Sequence, residues 1–159
     1  MILYHGSNIE VIEPKLLKIQ RDLDFGRGFY TTSDLDQATK WAKRTALRLK
    51  SVAGFVSVYE VDDTKLAELK ILKFTEANAD WLHFVVANRK GTFLSESWDL
   101  VCGPVANDQT MSVIDLYLDG RYDEEDAIKH LLTQKLKDQY TFKSESSILL
   151  LQCKEVIQV

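Results

Sequence analysis

Asp24-Phe25-Gly26-Arg27-Gly28-Phe29-Tyr30-Thr31-Thr32-Ser33-Asp34-Leu35-Asp36-Gln37-Ala38 is the stretch on which the fold turns. Two glycines bracketing an arginine read as a tight loop. Phe29 to Thr32 are aromatic and β-branched and read as a strand. Asp34 stands three residues before Gln37, the spacing of a capping box, and Ala38, Trp41, Ala42 and Thr45 mark one face of a helix running to about Lys50.

Outward from that core, Ile2-Leu3-Tyr4 is a first short strand and residues 8 to 24 an irregular connection. Residues 54–61 and 70–74 read as strands, 79–88 as a short helix through Trp81, Phe84, Val85 and Ala87, and 99–105 as a buried strand ending at Gly103-Pro104. Residues 108–118 fit helix and strand equally. Asp123 has the chemistry of an N-cap for a helix through about Leu136. Tyr140 to Phe142 and Lys154 to Val159 read as strands, with a helical stretch over 145–151 between them. Strands and helices do not alternate regularly, so the expectation is an α+β fold rather than a doubly wound sheet. With no repeat and no Pro/Gly/Ser linker, residues 1–159 read as a single domain.

Composition narrows the function classes. The longest apolar runs, such as Ile148 to Leu151, are far below the ~18 residues of a spanning helix, so no membrane partner is expected. The N-terminus lacks the basic-then-apolar pattern of a secretory signal, which predicts a cytoplasmic protein. Cys102 and Cys153 sit among apolar neighbours and read as core thiols, and the three histidines are not in ligand-type spacing. Metal-free chemistry is the expectation. The formal net charge of −4 argues against broad capture of nucleic acid, although Lys40, Lys43, Arg44, Arg48 and Lys50 form one local basic strip.

Two constellations carry chemistry. Tyr4-His5-Gly6-Ser7 places a glycine, with open backbone N–H and C=O groups, beside a histidine whose ring nitrogen suits a ribose hydroxyl. A flat carboxamide needs such a donor and acceptor pair; the same four residues also fit a turn histidine that binds nothing. In Asp24 to Tyr30, Arg27 between Gly26 and Gly28 suits a pyrophosphate, and Tyr30 offers an aromatic face to a cationic pyridinium. The alternative for Tyr30 is a core tyrosine. The third glycine of the dinucleotide fingerprint is missing. Asp22 and Asp24 read as solubility residues of the loop, the alternative being a base toward an acceptor, and His83 and His130 receive no role.

Together, in this order, the two patches resemble the diphtheria-toxin-like branch of the ADP-ribosyltransferases, which includes the poly(ADP-ribose) polymerases. That family carries His-Gly-Ser, then Gly-x-Gly-x-Tyr before a helix, then Asn-Glu-Tyr at the head of a late strand. The last has its counterpart in Asp138-Gln139-Tyr140. Over nearly its whole length the chain also looks like a family of small bacterial proteins of unassigned function with Tyr-His-Gly-Ser, Asp-Phe-Gly-x-Gly-Phe-Tyr-x-Thr, Gln-Ala-x-x-Trp-Ala, Gly-Pro-Val-Ala-Asn-Asp and a terminal Gln-x-x-Phe.

The resemblance implies a split two-sheet β core with flanking helices and NAD as co-substrate in the cleft. It implies His5 at the adenosine ribose, Gly6 at the nicotinamide amide, Tyr30 at the nicotinamide ring and Gln139 at the nicotinamide ribose, with Ser7, Arg27 and Gly28 alongside. Where the polymerases finish the pocket with a serine and a tyrosine, this chain has Gln37 and Trp41. Gln139 departs from the family's glutamate: a neutral amide positions the ribose but supplies no anion to the positive charge that builds there.

The implied activity is transfer of ADP-ribose from NAD to a protein or nucleic acid acceptor with release of nicotinamide, in a toxin-like effector whose partner would be an antitoxin protein. Hydrolysis of NAD, or binding of NAD or ADP-ribose without catalysis, are the alternatives.

Overall fold

A computed structural model of the chain describes residues 1–17, 23–92, 97–106 and 108–159. In chain order the elements are β1 (Ile2–Ser7), β2 (Phe29–Thr31), α1 (Leu35–Leu49), β3 (Phe55–Glu60), α2 (Asp63–Leu66), β4 (Ile71–Lys73), α3 (Ala79–Arg89), β5 (Leu100–Pro104), α4 (Asp108–Leu118), α5 (Glu124–Leu132), β6 (Asp138–Phe142), α6 (Glu145–Ile148) and β7 (Gln152–Gln158). The fold is α+β. Among the described residues no helix is long and apolar enough to cross a membrane.

Among the described residues seven strands form two sheets, β1-β3-β7 and β2-β6-β5-β4. All pairings are antiparallel except β4 with β5. One bridge, Tyr4 to Thr32, joins β1 to the end of β2 and so links the sheets edge to edge. Leu3, Phe29, Tyr59, Leu100 and Phe142 are buried together in one cluster. The other face of the second sheet carries Val101 and Tyr30 against Phe25, Trp81, Phe84, Ile114 and Leu131, most of them from α3, α4 and α5.

Helix α1 lies close on the first sheet because both surfaces are stripped of bulk. Ala38, Ala42 and Ala46 are buried, and a Cβ at Gly6 would stand 2.1 Å from the Ala38 carbonyl oxygen. The helix starts where expected, with Asp34 Oδ1 accepting from the Gln37 amide at 2.7 Å. The second half of the expected capping box is absent. Gln37 Nε2 reaches across to the Asp138 carbonyl at 3.1 Å, and the Asp34 amide donates to Thr32 Oγ1 instead. Trp41 is 47% exposed rather than part of the buried face.

The ambiguous stretch 108–118 is a helix, packed on α5 and α3 through Val113 and Ile114. Several boundaries move: β1 runs on to Ser7, α6 stops at Ile148 and β7 begins at Gln152. Helix α5 ends at Leu132, short of Leu136, because the chain turns at Thr133 and the Lys137 carbonyl takes the Val105 amide at 2.8 Å to start β6. Strand β6 reaches back to Asp138, since Gly103 and Pro104 pair with Gln139 and Asp138. Helix α2, capped by Asp62, has no counterpart in the sequence reading. Cys102 is buried as expected, but Cys153 is partly exposed.

Candidate functional site

The parity of hydrogen bonding along β1 determines what the site offers. At its start, Met1 and Val61 exchange backbone bonds, N to O at 2.7 and 2.9 Å, so the odd residues of β1 face β3. The even residues face the other way, and Tyr4 exchanges bonds of 2.8 and 3.0 Å with Thr32. Continued antiparallel pairing would next place Gly6 opposite Tyr30. That pair does not form. The Tyr30 carbonyl is taken at 2.7 Å by the ring of His5, which leaves the buried Gly6 without a strand partner on that side.

His5 is therefore the wedge at which the two sheets part. Its ring stacks on Phe29, centroids 4.3 Å apart, on the opposite face of β2 from the Tyr30 side chain. A carbonyl only accepts, so Nδ1 carries the proton. Burial holds the imidazole below its ordinary pKa, against the pull of the Tyr30 carbonyl, and the ring is neutral near pH 7. Nε2 is thus a bare acceptor, the atom a ribose hydroxyl would donate to.

Tyr30 is positioned from both ends. Its hydroxyl donates to the Gly26 carbonyl at 2.5 Å and accepts from the Phe25 amide at 3.1 Å. Burial raises its pKa well above the usual phenol range. Gly26 has φ +72°, which L side chains rarely adopt, and a Cβ at Gly28 would stand 2.5 Å from Thr141 Cγ2. The two glycines are accounted for by turn geometry and packing, and the loop they form aims the tyrosine.

Tyr30 pairs with Thr141 across β2 and β6, so Gln139, two residues earlier, shares its face. Gln139 is 5% exposed, and its Nε2 is buried without a hydrogen-bond partner, while the Thr141 hydroxyl lies against that of Tyr30. Native interiors satisfy nearly all such groups. Beside them Asp138 accepts from Thr32 Oγ1 at 3.1 Å and from Ser33 N and Oγ at 2.9 and 2.5 Å, tying the end of β2 to the head of β6.

The structure thus brings His5, Gly6, Tyr30, Gln139 and Gln37 to one split edge. Ser7 sits on the His5 side, with its hydroxyl accepting from the Ile9 amide at 3.5 Å. Arg27 is exposed and has no ion-pair partner among the described residues. Cavities of about 140 and 360 Å³ lie elsewhere, around Cys102, Tyr140 and Leu136, and neither is lined by His5, Tyr30 or Gln139.

Asp24 corrects the sequence reading. It is no solubility residue: 8% exposed, it accepts from Arg89 Nε at 2.7 Å and also from Nη2. Burial raises its pKa, and Arg89 pulls it back. Lys143, unmarked in the sequence reading, donates to the Phe25 carbonyl and clamps the same loop; burial lowers its pKa to about 8. Its place two residues beyond Thr141 on a buried strand face was the available signal. Asp22, and Asn107 of the Gly-Pro-Val-Ala-Asn-Asp run, lie outside the described residues. His83 pairs with Glu124 and His130 stacks on Tyr122, both away from the split edge.

A family described as "Protein of unknown function (DUF3990)" matches residues 1–153. No curated protein and no solved structure matches the chain.

Proposed function

The chain belongs to that family of unknown function, DUF3990, and we propose that within it this protein binds NAD at the split edge and transfers ADP-ribose to a macromolecular acceptor. The fold that goes with this reading is the split β-sandwich of the ADP-ribosyltransferases. The observation that carries it is the interrupted β1–β2 pairing: His5 removes the partner of Gly6, which is left without a strand partner on the side of Tyr30.

A nicotinamide carboxamide replaces Tyr30 as the pairing partner of Gly6, N–H to O and O to N–H. Tyr30 stacks on the pyridinium, an attraction on the order of 1 kcal/mol. His5 Nε2 accepts from one ribose hydroxyl, and the unpartnered Gln139 Nε2 donates to another. The C1′–nicotinamide bond then breaks with its electron pair going to the pyridine nitrogen, and a nucleophile of the acceptor closes on C1′ and gives up its proton to water.

A second reading rests on Gln139. No free carboxylate faces Tyr30 among the described residues: Asp138 is engaged by Thr32 and Ser33, and Asp24 by Arg89. Without an anion beside C1′ the site favours slow turnover, hydrolysis or binding alone. Incubation with NAD labelled in the adenosine, alone and with cell lysate, separates these. Nicotinamide release with label fixed on a macromolecule is the expected result. Release without fixation makes the protein a glycohydrolase. Calorimetric binding lost in Tyr30→Ala, with no release, makes it a binding module, and no binding at all removes the NAD site.

A further inference from the structure

The proposed NAD site leaves unused a strongly basic surface on α1. Residues 35–50 carry five basic side chains, Lys40, Lys43, Arg44, Arg48 and Lys50, against one acidic, Asp36, in a chain of net charge −4. All five are exposed. Several other cations of the chain are neutralised locally, as in Arg89–Asp24, Lys129–Glu125, Lys137–Asp34 and Lys154–Glu60. Lys40, Lys43, Arg48 and Lys50 have no ion-pair partner among the described residues, and Lys40, Arg44 and Arg48 repel one another at i,i+4 spacing.

The strip is also placed on the site. At about 100° per residue, Gln37, Trp41, Arg44 and Arg48 follow one flank of α1, with Lys40 and Lys43 on the outermost face. Gln37 is the residue bonded to the Asp138 carbonyl, next to Gln139. One turn on, Trp41 presents a half-exposed indole. Four-residue steps advance about 6 Å along the axis, close to two stacked nucleotides at ~3.4 Å each. An anionic membrane fits less well: a surface-lying helix inserts its apolar face, and here Ala38, Ala42 and Ala46 are buried in the protein.

We propose that the outer face of α1 is a docking track for single-stranded nucleic acid, with its phosphates along Lys40, Lys43 and Arg48 and a base stacked on Trp41. As the identity of the acceptor, this rests on the ADP-ribosyltransferase reading; as a binding surface it does not. The strand leads toward Gln139, where an oxygen or nitrogen of a nucleotide forms the bond to C1′, displaces nicotinamide with the bonding pair, and loses its proton to water.

The test is fluorescence anisotropy of the full chain with short labelled single-stranded RNA and DNA over a salt series. Affinity is expected to fall with the logarithm of salt at a slope of about −2 to −3, as three or four neutralised phosphates require. Lys40→Glu/Lys43→Glu/Arg48→Glu should weaken binding roughly tenfold or more with NAD binding and the helical circular dichroism unchanged, and the Gln triple should fall between. The proposal is overturned by absence of binding at low salt, by binding that the triple variants leave unaltered, or by capture of phosphatidylserine vesicles or polyglutamate in preference to the oligonucleotides. Strand binding through α1 without NAD binding would keep the track and remove the transferase; NAD cleavage without strand binding would do the reverse.

Discussion

Gln139→Met distinguishes a glutamine that serves the fold from one that serves a ligand. The side chain is 5% exposed and its Nε2 has no partner. An unsatisfied buried donor costs about 1–3 kcal/mol. Methionine is unbranched, of similar length and tolerant of irregular space, and volume-conserving replacements cost less than about 1.5 kcal/mol. The difference leaves the ligand-free variant between about 0.5 kcal/mol less stable and about 3 kcal/mol more stable. A gain of about 1 kcal/mol would raise Tm by roughly 2–4 °C in a chain of this size. The assay is calorimetric unfolding of both proteins, each with and without NAD. At a hundredfold excess over Kd the wild type gains about 2.7 kcal/mol from the ligand, and the variant should gain measurably less. If ligand-free Gln139→Met melts several degrees below the wild type, the amide is satisfied in solution, and its assignment to a ribose hydroxyl is wrong.

Other perturbations read neighbouring parts of the same edge. On the proposed NAD reading, Gln139→Glu places a carboxylate where positive charge would develop and should raise nicotinamide release roughly tenfold or more; an unchanged rate would mean that the ribose lies elsewhere. Gly6→Ala drives a Cβ into backbone atoms of α1, 2.1 Å from the Ala38 oxygen and 2.9 Å from the Ala42 nitrogen, so it should cost about 3 kcal/mol or more and lower Tm by several degrees. A wild-type melting curve would contradict that packing. Because His5 is held below its ordinary pKa of 6.5, the unfolded chain takes up its proton first. His5's contribution is complete above that pH and is lost as the pH falls from it to the folded-state value. Urea midpoints should therefore drop faster below pH 6.5 in the wild type than in His5→Gln, and parallel profiles would show that the ring is not buried neutral. Arg89→Met strands the Asp24 carboxylate, whose side chain is 12% exposed, and should cost about 1.5–3 kcal/mol. Asp24→Asn should cost less, and the reverse order would deny the pair its structural weight.

Local signals made much of this legible. The Asp34 cap, the alanines of α1 and the β-branched run of β3 are nearest-neighbour information, and those elements form where the residues indicate. Residues 108–118 were not decidable alone, because Val113 and Ile114 become one face only once α3 and α5 supply the surface they pack on. The division into two sheets is a matter of long-range pairing, Phe29 with Phe142 and Ile71 with Leu100, which periodicity does not encode. Asp24 shows the same limit at one residue. In a polar loop it reads as solvated, and only Arg89, 65 residues away, makes its burial tolerable.

His5, Gly6 and Tyr30 stood out as ligand-type residues, but each is also required by the fold. Gly6 is small because α1 lies on it, and Tyr30 is bolted by its hydroxyl to the Gly26 turn. These two demands pull β1 toward α1 and β2 toward the glycine loop, so the strands separate after the Tyr4–Thr32 bridge. The Tyr30 carbonyl exposed by that separation would be a costly orphan. His5 satisfies it from the side chain, with the one nitrogen that carries a proton, and so keeps the gap open without refilling it. Any residue that restored backbone pairing between Gly6 and Tyr30 would close the site, and any that left the carbonyl bare would destabilise the split. The histidine does neither, and its remaining nitrogen is left without a proton beside the gap.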